Sequence, residues 1–128
     1  MSISKLILLL SAGPKDFVSH VVEYDWGVNS FLMHKDGHSM VKIYWLKEEP
    51  DRLFFSDLSV YESHRKKGFG KLLLKYHLRV AEDMNLDSFL WVDKDSWVRK
   101  WYERCDYTYF KDMPEENSVW LHRPHSRL

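Results

Sequence analysis

The sequence has a single cysteine, Cys105, and only five glycines and four prolines in 128 residues. An internal disulfide is therefore excluded, and no Gly- or Pro-rich linker divides the chain. We expect one domain over residues 1–128 in a reducing, cytoplasmic setting. The longest apolar run, Leu6 to Leu10, is too short to cross a bilayer, so no membrane association is expected.

Excess charge of one sign is also missing, because 19 basic residues balance 19 acidic ones. This balance argues against a dedicated nucleic-acid binder, which is usually strongly basic. The seven histidines are scattered and no Cys/His group has the spacing of a zinc site, so we predict no metal. What the chain does have is 45% hydrophobic and 30% charged residues, a composition typical of a soluble globular domain.

The periodicity of apolar residues predicts a mixed α/β domain. Residues 30–34 and 39–46 flank the hairpin turn signal Asp36-Gly37, and residues 53–61 are typical of a buried strand. Apolar residues then recur at helical spacing from Gly70 to Asn85. Further elements are a strand at 88–92, a helix capped by Asp95 or Ser96 that ends near Arg104, and two closing strands at 107–110 and 119–122. This order predicts a mixed, mostly antiparallel sheet flanked by helices.

One strand-loop-helix unit carries the candidate binding site. Residues 65–71, here called the basic loop, read Arg-Lys-Lys-Gly-Phe-Gly-Lys and lead into a helix. A helix N-terminus offers unpaired backbone N–H groups and the positive end of the helix dipole, and Gly68 and Gly70 allow a ligand to approach closely. Four cations lie around the same point: Arg65, Lys66, Lys67 and Lys71. The pattern predicts an anion site suited to a pyrophosphate, although a tight turn with solvated lysines explains it equally well.

Two segments resemble a known family. Arg65-x-x-Gly68-x-Gly70, after the Leu-Ser-Val of residues 58–60, resembles motif A of the GNAT family of N-acetyltransferases, and Trp101-Tyr102 through Tyr107 resembles the family's Phe-Tyr-x-x-x-Gly-Phe segment. The resemblance covers roughly residues 30–123. It implies a GNAT-like fold and transfer of an acetyl group from the co-substrate acetyl-CoA to a primary amine by direct attack. A catalytically weak acyl-CoA-binding regulatory or interaction module is the alternative.

The resemblance also implies roles for individual residues. The backbone of residues 58–60 would hold the pantetheine arm, the backbone N–H groups of residues 66–71 would hold the pyrophosphate, and Tyr102 would protonate the leaving thiolate. Asp95 takes the position of a frequent family Asn, and Asp106 takes that of the family's Gly. The candidate coenzyme-binding residues are Leu58, Ser59, Val60, Arg65, Lys66, Lys67, Gly68, Phe69, Gly70, Lys71 and Asp95.

The acceptor side is less clear from the sequence. Asp57 is the first candidate for general base, ahead of Ser56 and Glu23, unless it merely pairs with a cation such as Lys42 or Arg52. The family usually places helices between its first two strands as part of the acceptor wall, whereas only residues 12–30 precede the hairpin here. This shortened N-terminal region predicts an open acceptor site for a small-molecule, peptide or protein amine, or one that a partner chain or a homodimer completes.

Overall fold

The structure is a computed structural model and describes residues 1–126. Its α-helices are α1 (Ile3–Ser11), α2 (Phe69–Met84) and α3 (Trp97–Arg104). Its strands are β1 (Phe17–Tyr24), β2 (Gly27–His34), β3 (Ser39–Leu46), β4 (Arg52–Val60), β5 (Asp87–Asp93), β6 (Thr108–Met113) and β7 (Ser118–Arg123). They form one sheet in the order β1-β2-β3-β4-β5-β7-β6, in which only β4 and β5 are parallel. The predicted mixed, mostly antiparallel sheet is confirmed.

The N-terminal region differs from the expectation in one respect. The apolar run near the start forms α1, which begins at the cap Ser2 and buries Leu6 and Leu10. Residues 17–24 then form β1, a strand that the sequence analysis did not identify. A two-residue turn joins β1 to β2, so no helix lies between these strands. Residues 12–30 therefore contribute an edge strand and part of its neighbour.

All three helices pack on one face of the sheet, where they share a single hydrophobic core with inward-facing strand residues. The alternating burial of β3 shows this two-sided arrangement, because every second residue is buried and the others are half-buried. The opposite face carries four linked aromatic rings, here called the aromatic face: Tyr44, Phe54, Phe89 and Trp120. Within residues 1–126, no helix is both long and apolar enough to span a bilayer.

Two irregularities in β4 open the sheet. The parallel pairing of β4 with β5 ends at Phe54 and Phe89, after which the strands separate. On its other side, β4 has a β-bulge, because Asp57 and Leu58 together face the single residue Val41 of β3. Asp57 has φ 56°, a left-handed conformation that Asp tolerates better than most residues. The bulge bends β4 away from β5 and leaves a cleft between them.

Local capping signals set the ends of the helices that border this cleft. α2 begins after Gly68, which has φ 87°, and ends at Asn85, which has φ 57°. Of the two cap candidates for α3, Ser96 is the one used, and its hydroxyl accepts a hydrogen bond from the Val98 N–H at 3.1 Å. The predicted hairpin, central helix and closing strands are all present within three residues of their expected ends.

Candidate active site

A cleft of about 930 Å³ lies between the separated ends of β4 and β5, bordered by the N-terminal turns of α2 and α3. Most of the candidate site residues line it: Asp57, Leu58, Ser59, Val60, Arg65, Lys66, Gly68, Phe69, Gly70, Lys71 and Tyr102. Lys67 and Asp95 do not line it, and both are exposed. The fold therefore brings together residues that are up to 45 positions apart in the sequence, from Asp57 to Tyr102.

The basic loop presents its backbone to the cleft. Within residues 1–126, the backbone N–H groups of residues 66–71 donate to no acceptor. The next N–H along the chain, that of Leu72, donates to the Gly68 carbonyl at 2.9 Å and begins the hydrogen bonding of the helix. Lys66 and Gly68 both have positive φ, 66° and 87°. Turns of this kind direct successive N–H groups toward one point and create an anion-binding concavity. The loop has the free donors that an anion site requires.

A side-chain hydrogen bond fixes the basic loop to the strand that precedes it. The Arg65 Nε donates to the Val60 carbonyl at 3.2 Å, which ties the loop to the end of β4. A Cβ at Gly70 would lie 3.8 Å from a Leu58 methyl and 4.0 Å from the Trp101 ring. Gly70 has no positive φ and a Cβ there would make only ordinary contacts, whereas Gly68 has the positive φ that the turn requires.

Tyr102 lies at the base of the cleft with its ring buried. The ring centroid is 6.5 Å from that of Phe55 and 5.7 Å from that of Tyr107, both in edge-on contacts. Within residues 1–126, its hydroxyl has no hydrogen-bond partner, whereas the hydroxyls of Tyr76 and Tyr107 both have one. Burial raises the pKa of Tyr102 well above its usual value, so the phenol keeps its proton at neutral pH. This arrangement differs from that of a core tyrosine whose hydroxyl is satisfied by a protein partner.

Asp57 is exposed and lines the cleft at the bulge of β4. The ion pairs suggested for it are not formed within residues 1–126, because Arg52 pairs with Glu49 at 3.2 Å and Lys42 lies over the Tyr44 ring. Burial raises the pKa of Tyr44, and the negative charge of Asp57 adds to the shift. Within residues 1–126, Asp57 is thus an exposed carboxylate at the cleft without an ion-pair partner.

Glu23, the other acidic candidate for the base, lies elsewhere, on the edge strand β1. The register places the turn that follows it beside Leu46 of β3, at the end of the sheet opposite the cleft. Glu23 does not line the cleft, so its placement does not support a role as the base. Ser56, the remaining candidate base, does line it.

Three tryptophans line the cleft: Trp91, Trp97 and Trp101. The sequence analysis named Trp101 only as part of the motif and gave none of the three a place at the site. Trp97 is 75% exposed and stands at the start of α3, whereas Trp101 lies one helical turn further in and is half-buried. Trp97 and Trp101 are four residues apart on α3 and therefore share one face of the helix, a pattern that is visible in the sequence. The side chains widen the apolar lining of the cleft near its mouth.

A buried polar chain stands behind Tyr102. The His77 Nε2 lies 2.6 Å from the Ser88 hydroxyl, which lies 2.5 Å from the Tyr107 hydroxyl. These residues connect α2, β5 and the segment after α3, and all are almost fully buried. Burial lowers the pKa of His77 to about 3, so the imidazole is neutral. The sequence analysis identified no partner for His77, and the fold supplies one.

Family comparison agrees with this geometry. The model of the acetyltransferase (GNAT) family matches residues 18–107, most of the chain. The chain belongs to the GNAT family. Membership confirms the predicted activity, an acetyl-CoA-dependent N-acetyltransferase acting on an amine, together with acetyl-CoA as the co-substrate. No curated protein matches the sequence significantly.

Solved structures of the GNAT fold resemble this one despite low sequence identity. The nourseothricin acetyltransferase is 16% identical with a TM-score of 0.61 and alignment over 87% of this chain and 85% of that one. The ribosomal-protein-S18-alanine N-acetyltransferase from Escherichia coli is 13% identical, with a TM-score of 0.62 and coverage of 83% and 74%. A GNAT acetyltransferase from Elizabethkingia anophelis, solved with acetyl-CoA bound, is 12% identical, with a TM-score of 0.62 and coverage of 87% and 99%. These likenesses confirm the GNAT-like fold.

Proposed function

We propose that this acetyltransferase binds acetyl-CoA with its pyrophosphate on the backbone N–H groups of residues 66–71 and its pantetheine arm along residues 58–60. The run of unpaired N–H groups is the observation that carries this assignment. Donors aligned at a helix N-terminus stabilise a pyrophosphate without the need for a specific side chain. Lys71, which also lines the cleft, and the exposed Lys66 and Lys67 add positive charge.

Tyr102 is the proposed general acid. A phenol that is protonated and free of a protein partner can donate to the thiolate as it leaves, and the cleft places this hydroxyl near the separated strands. The thioester carbonyl would accept hydrogen bonds from the backbone of β4 beyond Phe54, where β4 no longer pairs with β5. Asp95 is exposed and lies outside the cleft, so we assign it no contact with the coenzyme.

Asp57 is the proposed general base. It is an exposed carboxylate without a cation partner in residues 1–126, and it can take a proton from the ammonium group of the acceptor, directly or through water, so that the free amine attacks the thioester. Cys105 is half-buried and does not line the cleft, so the protein offers no thiol to carry the acetyl group there. Direct attack of the amine on acetyl-CoA is therefore the proposed route.

For the acceptor, we infer a peptide or protein amine. The connection between β1 and β2 is a two-residue turn, and all three helices lie on the other face, so no helix of residues 1–126 covers the aromatic face. An open groove accommodates an extended chain more readily than a small molecule that needs enclosure. One GNAT structure with this fold belongs to an enzyme named for a protein acceptor, the ribosomal-protein-S18-alanine N-acetyltransferase. A partner chain, including a second copy, would complete the site by covering the aromatic face.

The test has two arms on the purified full chain. Calorimetry should show binding of one acetyl-CoA per chain, and an unbiased panel of peptides and small amines should reveal turnover on peptide N-termini or lysines. An Asp57→Asn variant should bind acetyl-CoA normally and lose most of the turnover. Coenzyme binding with no turnover on any acceptor would favour the non-catalytic acyl-CoA-binding module, and no binding by the folded chain would refute the site.

A further inference from the structure

Three of the seven histidines, which are scattered in the sequence, come together beside the basic loop. The ring centroids of His34 and His38 are 4.0 Å apart, and those of His38 and His64 are also 4.0 Å apart. Phe69, the first residue of α2, packs 4.4 Å from the His38 ring. This column of imidazoles connects the turn between β2 and β3 to the segment that leads into the loop.

We propose that His34, Asp36 and His38 form a binding site for one divalent transition-metal ion, with Zn²⁺ as the best-matched ion. One ligand atom from each of these side chains lies within 4.8 Å of the other two. The turn explains the convergence, because Gly37 has φ 78° and its N–H donates to the His34 carbonyl at 2.7 Å. Two imidazoles and one carboxylate are a ligand set that Zn²⁺ takes in proteins.

The surroundings of the three side chains suit a metal. His34 and His38 are only 8% and 5% exposed, whereas Asp36 is open to solvent, so an ion would enter from the Asp36 side. The Ser39 hydroxyl lies 2.8 Å from the His38 Nδ1, which orients that ring and leaves its Nε2 for a ligand bond.

Binding requires a rearrangement of the side chains. In a tetrahedral site, zinc bonds of about 2.0–2.2 Å place two ligand atoms about 3.3–3.6 Å apart, so the present spacing of up to 4.8 Å must shorten. The rings of His34 and His38 are nearly parallel, at 27°, and one must rotate out of the stack before both can point at one ion. The His34 Nδ1 also accepts the Asp36 N–H at 3.1 Å, a hydrogen bond that ligation through this nitrogen would replace.

The proposed metal site is separate from acetyl transfer. His34, Asp36 and His38 do not line the cleft, although His64 at the other end of the column does. The ion would fasten the turn between β2 and β3 and would not contact the reacting groups. The proposal therefore does not rest on the proposed function, and either can fail without the other.

The test uses the tag-free full chain after metal removal by a chelator. Calorimetry with Zn²⁺ and visible absorption with Co²⁺ should show one ion per chain. The Co²⁺ absorption bands should be those expected for nitrogen and oxygen ligands. His38→Ala and Asp36→Asn should each weaken Zn²⁺ binding by about 100-fold, since each removes one of the three ligands. His20→Ala removes an exposed histidine on β1 and should leave the affinity unchanged.

Two results would overturn the metal site. One is the absence of stoichiometric Zn²⁺ and Co²⁺ binding by protein whose circular dichroism shows that it is folded. The other is binding whose affinity is the same in Asp36→Asn as in the parent chain. Asp36 is exposed, so its variant should fold even if His38→Ala does not. A parallel acetyl-CoA titration reports on the coenzyme site independently.

Discussion

Phe54 of β4 and Phe89 of β5 form the last pair before the two parallel strands separate, with ring centroids 6.1 Å apart. Both side chains are almost buried, at 3% and 4% exposure, and they belong to the aromatic face. Neither side chain lines the cleft, which opens beyond this pair, where β4 no longer pairs with β5. The separation of β4 and β5, which is a feature of the sheet itself, thus determines the shape of the cleft. Substitutions that change only side chains in the cleft should leave the sheet intact.

Gly68→Val should weaken acetyl-CoA binding by tenfold or more. Valine at φ 87° costs about 1–2 kcal/mol, and the loop would relieve this strain by moving its N–H groups away from the ligand. Asn85→Val is the matched control, because Asn85 also has positive φ and lies at the other end of α2. Calorimetry should show unchanged coenzyme affinity for the control. Equal affinity of both variants in their folded fractions would make the loop structural only.

Tyr102→Phe should lower kcat by about 100-fold while the affinity for acetyl-CoA changes little, because only the proton donor is removed. Tyr76→Phe is the control. It removes a hydroxyl that bonds the Leu9 carbonyl at 2.8 Å, away from the cleft, and should cost about 1 kcal/mol of stability with no loss of kcat. Steady-state kinetics and thermal unfolding separate the two effects. An unchanged kcat in Tyr102→Phe would remove this residue from the mechanism.

His77 should make the protein acid-sensitive. Its pKa falls from the ordinary 6.5 to about 3 on folding. Between these pH values His77 is therefore protonated in the unfolded chain and neutral in the folded chain. The stability from this group is complete above pH 6.5 and is lost as the pH falls toward about 3. The slope should reach about 1.4 kcal/mol per pH unit. Urea unfolding from pH 7 to pH 4 should show a shallower dependence for His77→Gln, and an unchanged dependence for the exposed His20→Gln.

Asp106→Val should destabilise the protein by about 1–2 kcal/mol, whereas Asp106→Gly should stabilise it slightly. Asp106 has φ 70° just after α3, where its N–H donates to the Glu103 carbonyl and the Tyr107 N–H donates to the Tyr102 carbonyl. This pair of bonds is a Schellman motif, which favours glycine at the left-handed position. Thermal unfolding measures both variants. Equal stability of the Val and Gly variants would contradict the assigned backbone conformation.

Gly27→Ala should be the most damaging of these changes to stability, by about 3 kcal/mol. A Cβ at Gly27 would lie 2.0 Å from the Trp45 carbonyl oxygen, so β2 and β3 would have to separate. Gly37→Ala is the comparison, since a Cβ there meets nothing within 4 Å and only the positive φ is unfavourable. Urea unfolding should rank the parent chain first, Gly37→Ala second and Gly27→Ala last. A Gly27→Ala variant as stable as Gly37→Ala would show that the strands do not approach so closely.

Local chemistry accounts for the elements that were predicted correctly. The Asp36-Gly37 turn, the left-handed Asn85 and the Ser96 cap act over a few residues, so their effects can be read from neighbouring positions. The N-terminal run of residues 6–10 was ambiguous, because a short apolar run does not distinguish a strand from a buried helix turn. β1 was missed because, as an edge strand, it is only partly buried and its apolar alternation is weak.

The sequence by itself determined the donor side of this enzyme. Gly68, the surrounding cations and the following helix predict an anion site through local geometry, and Trp101-Tyr102 identified the second half of the motif. Only the tertiary structure decided which side chains are free to act. Three features depend on contacts between distant segments: the Tyr102 hydroxyl and the Asp57 carboxylate, neither of which has a partner within residues 1–126, and the stacked histidines. Such contacts follow from sheet order and register, which no local pattern specifies.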